Sequence, residues 1–229
     1  MLKLYDLEGV DDRRFSPTCW RVKMALAHKG LAFETVPTPF TRIASVGGGV
    51  SKTVPILEHE GRFVADSTAI ADYLEATFPD RPSLFGGAGG RALVEFVDAW
   101  VLATLHQQLV SLVVKDIHDH VLPEDRDYFE TSRTQRFGRP LADIQAGREE
   151  RVETLRGSLL PLRVTLKRQP YLGGERPLYP DYMVLGAFQW ARTISPFKIL
   201  ADDDPVRAYV DRLLDLHDGF ARQGNAYLL

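Results

Sequence analysis

Leu2-Lys3-Leu4-Tyr5-Asp6-Leu7 alternates over six residues. That is the period of a strand, with Leu2, Leu4 and Leu7 facing inward. From Trp20 to Lys29 the period becomes that of an amphipathic helix, and Gly30 follows as its left-handed C-terminal residue. Leu31 to Val36 alternates again and meets Pro37, predicting a second strand. Two strands joined by one helix make a βαβ unit with parallel strands. After Gly47-Gly48-Gly49, expected to be a loop or a distorted helix, Val54–His59 and Gly61–Ala65 predict a hairpin turning near Glu60-Gly61. Residues 67–77 predict a helix with Ile70, Tyr73, Leu74 and Phe78 on one side.

Pro79, Pro82, Gly86, Gly87, Gly89 and Gly90 punctuate a linker, and the chain beyond it reads as helix. Helices are expected over 91–115, 147–168, 181–193 and 205–221. Val152, Leu155, Leu159, Leu162 and Leu166 form a narrow buried seam in the second of these. The polar stretch 122–146 is expected to be helix broken by loops. The expected organisation is an α/β domain over 1–79, a linker over 80–90 and an all-helical domain over 91–229.

Composition narrows the class. The 229 residues are 45% hydrophobic and 26% charged, with a net charge of −3. That balance offers no electrostatic case for nucleic acid or an anionic membrane. No uninterrupted apolar run approaches a membrane span, and the N-terminus lacks the pattern of a signal peptide. The single cysteine, Cys19, excludes an internal disulfide and fits a reducing compartment, so a cytoplasmic location is expected.

Ser16-Pro17-Thr18-Cys19-Trp20-Arg21 joins the first strand-loop unit to the first helix. Pro17 suits the first helical position, where its missing N–H costs nothing. Ser16 is then a natural N-cap, in a setting whose free N–H groups and helix dipole also favour an anion. Asp66-Ser67 repeats the arrangement at the next helix, either as a simple cap or as a site for a carboxylate and an ammonium. His118-Asp119-His120 invites a metal reading, but an i, i+2 pair on a helix does not face one ligand, and no metal site is expected.

The chain resembles the soluble glutathione S-transferases over its full length. The resemblance is carried by Ser16–Val22, Thr53-Val54-Pro55-Ile56-Leu57, Asp66–Leu74 and Pro79–Phe85. Ser-Pro-x-x-Trp-Arg, the segment from Val36-Pro37 to Phe40-Thr41, and Phe188-Gln189-Trp190-Ala191-Arg192 are most similar to the bacterial lignin β-etherases and related fungal enzymes. The resemblance implies a thioredoxin-like N-terminal domain (βαβ-ββα) with a C-terminal helical bundle, a homodimer, and detoxification chemistry with glutathione as co-substrate. It implies that Ser16 donates to the glutathione thiolate, and that a cis Val54–Pro55 bond presents backbone to the cysteinyl moiety. It further implies that Asp66-Ser67 holds the γ-glutamyl end and that Arg42 or Lys52 pairs with the glycyl carboxylate. Trp20 either lines the site or starts a core face. An apolar, aromatic second substrate would sit among some of Phe15, Trp100, His106, Phe188 and Trp190; β-aryl ether cleavage is the reaction the narrower resemblance implies.

Two rival readings remain open at this level. Cys19 could be the nucleophile of a thiol transferase, or the chain could bind glutathione or aromatic compounds without turnover. One departure from the family pattern stands out. Leu178 occupies the position, three before Asp181, where a Ser or Thr usually caps a late helix, so a loss of around 1 kcal/mol is expected there.

Overall fold

The computed structural model describes residues 1–228. Its N-terminal part runs β1 (Leu2–Leu7), α1 (Pro17–His28), β2 (Phe33–Thr38), β3 (Ile56–His59), β4 (Arg62–Ala65) and α2 (Ser67–Thr77). The sheet order is β2-β1-β3-β4, with β1 parallel to β2 and antiparallel to β3. This is the expected βαβ-ββα arrangement. β2 does not stop before Pro37, which pairs with Asp6. β2 is the edge strand, where a residue without an N–H is tolerated. The hairpin turns at Glu60 (φ 52°) and Gly61 (φ 78°), the paired left-handed conformations that match strand twist.

The glycine-rich stretch after α2 leads into α3 (Ala88–Trp100), three residues earlier than expected. A π-helical turn (Val101–His106) and α4 (Gln107–His120) continue it as one 33-residue helix, Ala88–His120. By length and mean composition alone this helix is apolar enough to cross a membrane, although polar residues interrupt it and no continuous apolar run of that length occurs in it. Its inward face supplies Val94, Val101, Leu105, Leu109, Val113 and Ile117 to the core, which accounts for the same composition. α5 (Arg126–Phe137) and α6 (Leu141–Gln145) occupy the polar stretch. The expected helix over 147–168 is two, α7 (Arg148–Ser158) and α8 (Leu160–Leu166). Pro161 cannot donate to the turn before it, so the helix breaks at Leu159 while the seam stays buried through Leu162. α9 (Tyr179–Ile194) is the central helix, and α10 (Pro205–Leu214) packs on it. The last expected helix ends seven residues early, because His217, Asp218 and Gly219 all adopt left-handed φ and turn the chain.

α1 and α9 form the main seam between the sheet part and the helices. A Cβ on Gly186 would lie 2.3 Å from the Pro17 carbonyl oxygen, so only glycine permits this approach. Ion pairs anchor α1 on other sides. Lys23 meets the fully buried Asp6 at 2.7 Å, Arg21 meets Asp98 at 2.5 Å, and Lys29 meets Glu75 at 2.9 Å.

The start of α9 is satisfied without a serine or threonine cap. The Asp181 carboxylate accepts from the N–H groups of Leu172 (2.7 Å), Gly173 (3.1 Å) and Leu178 (2.9 Å), and from the Tyr209 hydroxyl (2.8 Å). Tyr179 N–H donates to the Leu84 carbonyl at 2.8 Å, and Pro180 has no N–H to satisfy. The expected loss of capping stability is therefore made good by tertiary partners.

Candidate active site

Ser16 sits at the N-terminus of α1, almost wholly buried, and is its N-cap. Its Oγ accepts from Cys19 N–H at 3.2 Å and lies 3.1 Å from Thr18 Oγ1. Thr18 gives its own proton to the Val54 carbonyl at 3.2 Å. Ser16 is then the donor in the Ser16–Thr18 contact, and its proton can turn toward a bound group. Capping uses the oxygen's lone pair and leaves this proton available. The same contacts bring α1 beside the Val54–Pro55 bond, which is cis. β3 pairs with β1 only from Ile56 onward, so Val54 lies beyond the ladder.

A cleft of about 260 Å³ opens on this corner. Ser16, Pro17, Lys52, Thr53 and Val54 border it on the sheet side. Phe15, Phe40 and Ile43 form a second wall, Val110, Ile117 and Trp190 a third, and Tyr128, Phe129, Arg133 and Arg136 of α5 a fourth. Phe40 is the hub of an aromatic group, with ring centroids 6.2 Å from Phe15, 6.1 Å from Tyr128 and 5.7 Å from Phe129. The buried Asp125 carboxylate fixes Phe40 in place. It accepts from Phe40 N–H (2.8 Å), Thr41 N–H (2.9 Å) and the Thr41 hydroxyl (2.9 Å). A polar donor at one end and an apolar chamber at the other suit a polar co-substrate and an aromatic partner in one enclosure.

Two family models match. One described as glutathione S-transferase, N-terminal domain, covers residues 12–82, and one described as glutathione S-transferase, C-terminal domain, covers 92–216. The chain belongs to the glutathione S-transferase family. It is a glutathione transferase, with glutathione as co-substrate. A glutathione S-transferase-like protein of Aspergillus flavus, ustS, is 24% identical over 78% of this chain and 75% of its own length. A probable glutathione S-transferase of Oryza sativa subsp. japonica is 29% identical over 78% and 70%. Among solved structures, a glutathione transferase of Phanerochaete chrysosporium, GSTFuA2, superposes with a TM-score of 0.77 at 27% identity, over 97% of this chain and 94% of its own. A glutathione S-transferase of Ceriporiopsis subvermispora, solved in complex with glutathione, gives 0.82 at 21% identity over 96% and 97%, a likeness of fold.

Within this transferase the structure gathers some of the expected residues and disperses others. Ser16, Lys52, Thr53, Val54, Phe15 and Trp190 line the cleft. Asp66 caps α2, accepting from Thr68 N–H (2.9 Å) and Ala69 N–H (3.0 Å). It holds φ at 78°, a strained conformation for a residue with a Cβ. Beside it, the Ser67 carbonyl accepts from the Tyr179 hydroxyl at 2.7 Å. Trp20 is turned into the core. Its indole N–H donates to the Arg14 carbonyl at 2.6 Å, and Lys23 lies over its ring at 3.7 Å. Arg42 points to a neighbouring groove and pairs with Glu124 at 3.6 Å. Phe188 is fully buried, while Trp100 and His106 lie outside the cleft lining.

Cys19 is fully buried, with its sulfur 3.9 Å from the Tyr5 carbonyl. Burial pushes its thiol well above the ordinary value, and nearby Asp6 pushes the same way. A protonated, enclosed thiol is a poor nucleophile. His118 and His120 diverge: His118 faces Glu130 at 3.6 Å, whereas His120 contacts the Asp116 carbonyl and the Tyr227 hydroxyl.

Most of the aromatic chamber was not anticipated. Tyr128, Phe129, Arg133 and Arg136 come from the stretch read as polar, broken helix, and Phe40 from a segment noted for the family resemblance but not proposed for the pocket. A signal was present: Phe129, Arg133 and Arg136 are spaced 4 and 3 apart, one face of a helix.

Proposed function

We propose that this glutathione transferase holds the glutathione thiolate at Ser16 and directs it at an aromatic electrophile in the chamber lined by Phe15, Phe40, Phe129 and Trp190. The observation that carries the reading is that the Ser16 hydroxyl and the aromatic walls border one cleft. Ser16 O–H and the first N–H groups of α1 stabilise the thiolate, and this lowers the pKa of the bound thiol. The Val54 backbone pairs with the cysteinyl moiety, the α2 N-terminus with Ser67 takes the γ-glutamyl carboxylate, and Asp66 faces its ammonium. Lys52 pairs with the glycyl carboxylate. For a β-aryl ether, sulfur forms a bond to the β-carbon, the carbon–oxygen bond breaks, and the electron pair leaves on a phenolate. This is the variant of the reaction that the β-etherase resemblance supports.

Leu93 and Phe96, three residues apart on α3 and 64% and 72% exposed, support a second copy of the chain as a partner and hence a homodimer. The single buried cysteine supports a cytoplasmic setting.

The test is the thiol pKa of bound glutathione, read from thiolate absorbance in the ultraviolet, in Ser16→Ala and Ser16→Asp. Ala removes the donor and the cap; Asp keeps a cap and supplies no donor at neutral pH. The bound thiol pKa rises by one unit or more in both variants, and turnover falls with it. Unchanged ionisation in both sinks the role of Ser16. Loss of activity in Cys19→Ser, with the wild-type melting temperature retained, revives the thiol-transferase reading. Glutathione binding with no conjugation across an electrophile panel turns the protein into a binder.

A further inference from the structure

The cleft carries three cations, Lys52, Arg133 and Arg136, and no aspartate or glutamate lines it among the described residues. Lys52 comes from the loop before β3, near the Ser16 corner, whereas both arginines come from α5, on the wall that holds Tyr128 and Phe129. The guanidinium of Arg133 is partly buried and lies 4.6 Å from the centroid of the Phe129 ring and 5.4 Å from that of Phe40. Neither arginine has a carboxylate within 4 Å among the described residues.

Of the acidic groups on and just before α5, three have other partners. Asp125 holds the Phe40–Thr41 backbone, Glu124 faces Arg42, and Glu130 faces His118. Among the described residues the polar partners of Arg133 are neutral hydroxyls: Ser132 Oγ, to which it donates at 2.9 Å, and the nearby Tyr128 hydroxyl. Burial lowers its pKa from the usual arginine value, the direction expected where no carboxylate offsets desolvation. A guanidinium set against two neighbouring rings is restrained in place, and its planar fork matches a carboxylate.

We infer that the second substrate is an aromatic electrophile carrying an acidic group, a carboxylate or sulfonate, which pairs with Arg133 and secondarily with Arg136 while its ring lies among Phe40, Phe129 and Trp190. The inference rests on the reading of this cleft as the electrophile site and adds the charge of its occupant. Glutathione is itself anionic, so a competing use of the arginines is to hold its carboxylates.

A matched pair of acceptors separates these cases: 4-chloro-3,5-dinitrobenzoate and its neutral amide, 4-chloro-3,5-dinitrobenzamide. The expected result is a kcat/KM preference of the wild type for the benzoate. Arg133→Gln lowers the benzoate-over-amide ratio about tenfold or more, and Arg133→Lys restores part of it. Equal losses on both acceptors, or a rise in the KM for glutathione with the ratio unchanged, overturn the inference and leave the proposed function standing. Quenching of tryptophan fluorescence by unreactive 3,5-dinitrobenzoate and 3,5-dinitrobenzamide reads the same preference without turnover. If neither chloride is conjugated but Arg133→Gln abolishes the benzoate preference in quenching, the proposed function fails and the anion site stands. If quenching shows no preference in the wild type, the anion site is refuted.

Discussion

His106 is expected to make the protein acid-sensitive, and the magnitude follows from its surroundings. The ring ends the π-helical turn between α3 and α4, with its edge against Trp190 at a centroid distance of 5.5 Å. Its Nε2 is buried with no hydrogen-bond partner. Burial pushes the imidazole pKa down to about 3, and the neighbouring Arg21 guanidinium adds repulsion of the charged form. The unfolded chain binds this proton near pH 6.5, the folded one only near pH 3. Between those values the unfolded state holds more protons, so stability falls as pH falls. The full contribution is present above pH 6.5, and about 2 kcal/mol of it is lost by pH 5, from 1.36 kcal/mol per unit over roughly 1.5 units. Other groups titrate in the same window, so the informative quantity is a difference. Urea unfolding of wild type and His106→Gln at pH 8 and pH 5 isolates it: the wild type loses about 2 kcal/mol more than the variant between the two. Parallel stability profiles for the two proteins would refute the reasoning.

Three further outcomes follow from the packing. Asp125→Ala removes the acceptor for two N–H groups and one hydroxyl, and costs about 2–4 kcal/mol; because Phe40 is released, the acceptor KM rises as well, and an unchanged melting temperature with an unchanged KM contradicts the tether. In Gly186→Ala the gain in helix propensity, about 1 kcal/mol, is outweighed by the clash with the Pro17 carbonyl at about 1–3 kcal/mol, so calorimetry shows a lower melting temperature, not a higher one. Asp181→Ala strands four donors at the start of α9 and costs about 3 kcal/mol or more; a urea midpoint close to wild type would mean that water replaces the carboxylate.

The polar residues proposed for the site could be picked out as candidates in the chain because each motif is local. A serine before a proline at a helix start, an X–Pro bond opening a strand and an Asp-Ser pair at the next helix each announce themselves within a few residues. The first two are brought together where the Thr18 hydroxyl donates to the Val54 carbonyl, as the βαβ-ββα topology implied by the alternation of periods allows. The aromatic half was not legible in the same way. Phe188 and Trp20 have the composition of pocket residues but the positions of core residues, and a periodicity argument ranks both alike. Phe40 and Phe129 come from segments with weak patterns and become pocket walls only because Asp125 ties one segment to the other.

The sequence by itself determined the order and type of the N-terminal elements, the capped start of α1, the helical character of everything after the linker and the glutathione transferase resemblance. These rest on interactions between residues close in the chain, or on a pattern repeated along it. Only the tertiary structure decided which aromatics face the cleft, that Cys19 is shut away, that Arg42 leaves the site and that two arginines with no carboxylate partner enter it. Those outcomes depend on burial and on pairing between residues as far apart as Phe40 and Asp125, and no local pattern records which partner a side chain will meet.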